Sequence, residues 1–290
     1  MRAARAHAAM STTLTQSLRR HWPEYLIEAW ALGTFMVAAG LTATLLGSPA
    51  SPVSRALPDP MLRNVVAGIA MGLTAIAIIH SPWGKRSGAH MNPAVTLTFL
   101  RLGKVHGWDA LFFMVAQVAG GTLGVLLVAA VLGSAFTDPP VSYAATLPGS
   151  AGPRVAFVAE LAISCGLMLT VLLLSASARL ARFTGLAAGC LVTTYISFEA
   201  PLSGMSMNPA RTFASAAPGM LWQHVWIYLT APLLGMLAGA QLFLAVRGAR
   251  RLACAKLLHP AEARCIHCGY EPLRTTSAAV TASASRSLPT

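Results

Sequence analysis

Apolar residues run through this chain in blocks of about twenty, separated by short stretches rich in Gly, Pro, Ser and Arg. A helix rises 1.5 Å per residue, so crossing a hydrocarbon core of roughly 30 Å takes about 20 mostly apolar residues. Six blocks meet or approach that length: Glu24 to Leu46, Leu62 to His80, Trp108 to Leu132, Val155 to Ala176, Gly185 to Ala200, and Trp222 to Val246. The fifth is short unless it begins near Leu180. The pattern predicts an all-α membrane protein with a tail over residues 1–23, a unit of six spans over 24–246, and a second tail over 247–290. The stretches Gly47 to Pro60 and Ser134 to Pro153 become the external loops, and the residues from Thr275 onward show no packing pattern.

Composition narrows the class. The chain is 55% hydrophobic and only 10% charged, with a mean hydropathy of +0.61, against about 25% charged in soluble domains. That excludes an ordinary soluble domain, and the apolar content excludes disorder. In a soluble chain a net charge of +12 would point to nucleic acid. Here the charges fall where a membrane protein keeps its cytoplasmic loops, so no nucleic-acid partner is expected. With both termini inside, all of the 21 Lys and Arg residues except Arg55, Arg63, Arg154 and Arg211 lie on the cytoplasmic side, as the positive-inside rule requires. Trp22, Trp108, Trp222 and Trp226 lie near predicted span ends, where an aromatic belt places them. The basic first 22 residues lack an apolar core and do not read as a signal peptide.

One short sequence occurs twice. Ser87 to Ala94 and Ser203 to Ala210 both read SGxxMNPA, the first between spans two and three, the second between spans five and six. The halves, about 24–133 and 154–246, thus carry three spans each. Because three is odd, the second half starts on the opposite side of the membrane, and the two boxes enter from opposite faces as an inverted repeat. Each box runs into an apolar stretch too short to span, Val95 to Leu100 and Thr212 to Ala217, which predicts two re-entrant half-helices. Pro93 and Pro209 suit a first helical position, where the missing N–H is no loss, and Asn92 and Asn208 suit the N-cap. The capping uses the asparagine oxygen and leaves the amide NH2 free. Ala94 and Ala210 are small enough to let the loops approach. Two asparagine donors at the midplane, backed by two positive helix ends, would bind a water oxygen, oppose a cation and interrupt a proton chain. A lone Asn-Pro is more often only a capping turn; two equivalent copies reverse that reading.

With the paired boxes AHMNPAVTL and SMNPARTF, the chain resembles the aquaporin or major intrinsic protein family over roughly Glu24 to Val246. The resemblance implies an hourglass of six tilted helices and two half-helices, one pore per subunit, and a homotetramer. It assigns Arg211, directly after the second box, to the narrowest constriction, and the four constriction positions to Met71, Ile196, Met205 and Arg211. Water-specific members usually carry an aromatic and a histidine at the first two; Met and Ile make the wall more apolar, while two flexible methionines can fill it. Glu28 and Glu160, at equivalent places in the two halves, resemble the family's buried glutamates that hold the backbone before each box. Glu24 and Glu199 lie nearer span ends and read as solvated. Thr212, Ala216 and Tyr228 are water-channel-like, whereas Leu229 is glycerol-channel-like.

The expected function is therefore a passive channel for water that also leaks small uncharged solutes and excludes ions and protons. The alternative is a facilitator of glycerol or another neutral solute such as hydrogen peroxide, ammonia or a metalloid acid. An ion-coupled transporter ranks last, because the spans carry little charge beyond the two glutamates. No nucleophile and base pair at membrane depth suggests an enzyme. Lipid, water and small neutral solutes are the expected partners, and the cell membrane the expected location; the compact loops and Ala-rich composition suggest a bacterial inner membrane. No cofactor is expected in the pore. In the last tail Cys265-Ile-His-Cys268-Gly forms a CxxCG knuckle, with Cys254 and His259 upstream. Free thiols in a reducing cytoplasm are the plainer reading, and a four-ligand zinc site is the alternative.

Overall fold

The structure, a computed structural model, describes residues 13–248, 252–259 and 264–271. Among these the regular structure is helical: α1 (Leu14–Gly47), α2 (Pro60–His80), α3 (Pro93–Arg101), α4 (Gly107–Leu132), α5 (Pro153–Ser175), α6 (Thr184–Phe198), α7 (Pro209–Gly219) and α8 (Val225–Arg247), with shorter turns of helix between them. The fold is that of the expected inverted repeat. Proline stands at the first turn of α2, α3, α5 and α7, the position its fixed φ and missing donor suit.

Five helices are long and apolar enough to cross a membrane. The span between α5 and the second box, α6, has 15 residues, about 23 Å of rise, and is preceded by a 3-10 turn at Ala181–Phe183. The first span departs most from expectation. It starts at Leu14, ten residues before Glu24, because Thr13 and Gln16 form a capping box: the Thr13 Oγ1 accepts from the Gln16 N–H at 3.3 Å and the Gln16 Oε1 accepts from the Thr13 N–H at 3.1 Å. Residues assigned to a tail are thus helix from Leu14 on, and Glu24 falls inside it. The first 12 residues, and most of the tail beyond α8, lie outside the described residues.

Packing follows the repeat. The most extensive contacts join α1 to α4 and α5 to α8, the outer spans of each half, and α2 to α6 across the halves. Close crossings depend on missing side chains. A Cβ at Gly120 would stand 2.0 Å from the Ala29 carbonyl oxygen, and one at Gly235 would stand 2.3 Å from that of Leu161. Small residues at such crossings let helices approach where no hydrophobic effect drives them together. Outward positions such as Leu123 and Val158 are apolar and exposed, as a lipid-facing surface requires. Between the spans, α3 and α7 both pack on α4 and α8 and touch each other. This places the two box asparagines at the centre of the bundle.

Candidate pore

Both boxes have an irregular backbone. Gly88 and Gly204 adopt φ of +112° and +81°, and Ala89, Met91, Met205 and Met207 follow in the left-handed region with φ between 51° and 53°. Four non-glycine residues there are costly, so something must hold them. In the first box it is Glu28, fully buried on α1. Its Oε1 accepts from Ser87 Oγ at 2.7 Å and His90 N–H at 3.1 Å; its Oε2 accepts from Met91 N–H at 2.7 Å and Gln117 Nε2 at 2.9 Å. In the second it is Glu160 on α5, equally buried, accepting from Ser203 Oγ at 3.1 Å, Ser206 N–H at 2.5 Å and Met207 N–H at 2.7 Å. Ionised acceptors for backbone N–H groups give the stronger class of hydrogen bond, and here they fix the left-handed methionines.

The asparagines cap the half-helices. Asn92 Oδ1 accepts from Ala94 N–H at 2.8 Å, and Asn208 Oδ1 accepts from Ala210 N–H at 3.0 Å and Arg211 N–H at 3.2 Å. Their amides are not wholly free, contrary to the expectation above. Asn92 Nδ2 donates to the Met207 carbonyl at 2.7 Å and Asn208 Nδ2 donates to the Met91 carbonyl at 2.6 Å. An amide has two N–H donors, so each asparagine retains one. The reason is proximity: with Ala94 and Ala210 buried at the contact, each box lies within reach of the other's carbonyl. The boxes are therefore cross-tied.

A cavity of about 130 Å3 runs along them, enough for several water molecules. Its wall includes Asn92, Asn208, Met71, Ile196, Met205 and Arg211, the remainder being mostly aliphatic. Among the described residues Arg211 is the one charged side chain on that wall. Its Nη1 donates to Thr146 Oγ1. Thr146 belongs to the stretch expected to be an external loop, yet it is buried: Gly149 N–H donates to Leu202 O at 3.0 Å, and Leu147 O would lie 2.7 Å from a Cβ on Gly204. The loop is thus a strap over the second box. No local signal in the sequence marks Thr146 for this role, because the contact is long-range.

Other supporting residues were legible only as oddities. Ser87 and Ser203 stand in the repeated motif, and Gln117 is a polar residue inside an apolar span. Tyr228 is buried and donates to the Ser203 carbonyl at 2.6 Å. Glu24, expected to be solvated, is buried and accepts from Arg86 Nε at 3.0 Å, since the longer α1 carries it past the segment leading to the first box. Glu199 is also partly covered rather than solvated.

The C-terminal cysteines converge. Cys254 Sγ lies 3.4 Å from Cys265 Sγ, His259 Nε2 lies 3.3 Å from Cys268 Sγ, and the four ligand atoms fall within 4.8 Å of one another. A hydrogen bond from Cys254 holds the Cys265 thiol well below the ordinary thiol range, and burial pushes the His267 imidazole down to about 4. All five cysteines are free.

Three comparisons bear on this geometry. A model of the family described as Major intrinsic protein matches residues 16–243. Aquaporin NIP1-4 of Oryza sativa subsp. japonica is 32% identical over 180 residues, 62% of this chain and 64% of the relative. Aquaporin NIP2-3 of Zea mays is 30% identical over 261 residues, 88% of this chain and 81% of the relative. The match to the first of these spans less than two thirds of the relative's own length. Both relatives are plant proteins and give the expected bacterial origin no support. Among solved structures, the aquaglyceroporin from Plasmodium falciparum shares the fold with a TM-score of 0.64 at 20% identity, covering 78% of this chain and 96% of that one.

Proposed function

This chain belongs to the major intrinsic protein family, and from that premise we propose that it is a passive channel for water and small neutral solutes that excludes ions and protons. The observation that carries the reading is the cavity wall: both box asparagines, one arginine, and mostly apolar side chains elsewhere. A water at the centre accepts from the remaining N–H of Asn92 and of Asn208. Both its lone pairs are then used, its own hydrogens point outward along the pore, and a continuous proton chain is broken. Two helix N-termini make the same place positive, and Arg211 adds a positive charge elsewhere on the wall of the same cavity. A unit cation passing about 5 Å from the guanidinium meets roughly 3 kcal/mol at an effective dielectric of 20.

Met71, Ile196 and Met205 form the apolar part of the proposed filter, with Arg211 as its donor. None of these four positions is a histidine, so a solute with an aliphatic face and a few hydroxyls is accommodated as well as water. That favours glycerol-sized neutral solutes as a second permeant class. Ion coupling is disfavoured because no carboxylate lines the cavity among the described residues, and Glu28 and Glu160 already accept four and three hydrogen bonds. We further propose that the termini lie in the cytoplasm of a cell, as the distribution of Lys and Arg favours, and, from the family alone, that the chain assembles as a tetramer.

Stopped-flow light scattering on proteoliposomes treated with a metal chelator tests the reading. Osmotic shrinkage and glycerol-driven reswelling are both expected to exceed those of protein-free vesicles. Shrinkage without reswelling would restrict the permeant to water, and neither would refute the channel.

A further inference from the structure

The tail after α8 carries chemistry that the pore does not use. Cys254, His259, Cys265 and Cys268 bring three sulfurs and one imidazole nitrogen together, a donor set typical of structural zinc. Bonds of about 2.3 Å from a tetrahedral zinc to sulfur give edges of about 3.8 Å between ligand atoms. The pairs at 3.4 Å and 3.3 Å, and the limit of 4.8 Å over the whole set, bracket that value. A tight turn builds the knuckle: Gly269 has φ +70° and its N–H donates to the Cys265 carbonyl at 3.0 Å, while Cys265 N–H donates to Tyr270 O at 2.8 Å. A second cavity, of about 290 Å3, borders Cys254, His259 and Cys268, so an ion can reach the ligands.

The same segment is seated on the first box. Leu257 N–H donates to the Gly88 carbonyl at 3.2 Å, His90 Nε2 bonds the Ala255 carbonyl at 3.0 Å, and His267 Nε2 bonds the Ser87 carbonyl at 2.9 Å. Bonding a carbonyl makes each of these ring nitrogens the donor. The His267 ring stacks on His90 with centroids 5.6 Å apart. The Leu257 side chain lines the pore cavity. The repeat makes the contact informative. In the second box the Ser203 carbonyl is held by Tyr228 of α8, whereas in the first box the equivalent Ser87 carbonyl is held by the tail. Similarly, Gly204 backs onto the external strap and Gly88 onto Lys256, whose Cγ would lie 3.3 Å from an added Cβ.

We propose that Cys254, His259, Cys265 and Cys268 bind one zinc ion, and that the metal-ordered tail closes the pore mouth at Leu257, so that loss of the metal opens the channel. The metal site stands on its own geometry; the gating rests on the channel reading above.

The test uses the full chain. Zinc per chain is measured on protein purified without chelator, and cobalt substitution is followed by the visible bands and thiolate charge transfer of a tetrahedral site. Wild type is compared with Cys265→Ser/Cys268→Ser, and each is assayed for osmotic shrinkage in proteoliposomes with added zinc and with a strong chelator. One zinc per chain in wild type, its loss in the variant, and shrinkage several-fold faster after chelation are expected. Leu257→Gly should keep the metal and show the fast rate without chelator. Metal in wild type no higher than in the variant, together with no cobalt thiolate spectrum, would overturn the site. Stoichiometric zinc with permeability unaltered by chelation or by Leu257→Gly would overturn the gate. Stoichiometric zinc with permeability at the protein-free level in every condition would uphold the site while refuting both the gate and the channel reading on which it rests.

Discussion

Replacing Glu160 by Gln probes the second box at its anchor. The carboxylate accepts three hydrogen bonds, two of them from consecutive backbone N–H groups, Ser206 and Met207, one on each oxygen. An amide offers one oxygen and one NH2, so in either orientation one of these buried N–H groups faces a donor. An unsatisfied buried donor costs about 1–3 kcal/mol, and losing charge assistance on the two remaining bonds removes about 1 kcal/mol each. Relief of the buried charge offsets part of this, leaving a net loss of about 2–4 kcal/mol. The damage reaches the pore, because the carbonyl of Met207 is the acceptor for Asn92 Nδ2. Glu160→Gln should lower the melting temperature in detergent by about 5–10 °C and reduce osmotic permeability several-fold. An unchanged melting temperature with wild-type permeability would refute the anchoring role.

Three further predictions follow from the same geometry. Arg211→Ala removes the one charge on the cavity wall and should raise glycerol entry and admit a cation leak larger by up to about two orders of magnitude, read from reswelling and from vesicle potential dyes; a leak equal to wild type would remove the arginine from the filter. Asn208→Asp places a carboxylate oxygen against the Met91 carbonyl that Asn208 Nδ2 now bonds, so it should both destabilise the cross-tie and weaken cation exclusion. A stable variant that still excludes sodium in a flux assay would contradict this. Gly120→Val puts a branched side chain where a Cβ already meets the Ala29 carbonyl at 2.0 Å, and should abolish monodisperse elution of the folded protein; a well-folded variant would mean that α1 and α4 need not cross so closely.

The spans and boxes were legible because their signals are local and repeated: apolar blocks of membrane length, and Asn-Pro at a helix start in two equivalent places. Boundaries were less so. The start of α1 depends on a capping box at Thr13 and Gln16 whose residues are polar and fall outside any apolar block. The asparagine NH2 groups were expected to be free because one box viewed alone offers them no acceptor; the carbonyl that binds each lies in the other half of the chain. Thr146 and the tail residues Ala255 and Leu257 carry no motif, and only the folded chain brings them to the boxes. The cysteine knuckle was visible as a motif, whereas the convergence of Cys254 and His259 on it depends on how the tail turns beneath the first box.

The central claim is that the cavity passes neutral molecules while breaking a proton chain. Proteoliposomes loaded with a pH-sensitive dye, treated with chelator and subjected to an osmotic step, report both properties in one record. Rapid shrinkage with the internal pH unresponsive to an imposed proton gradient is the predicted result. Rapid shrinkage accompanied by pH equilibration faster than in protein-free vesicles would contradict the account, because Asn92, Asn208 and Arg211 would then not be interrupting the water chain.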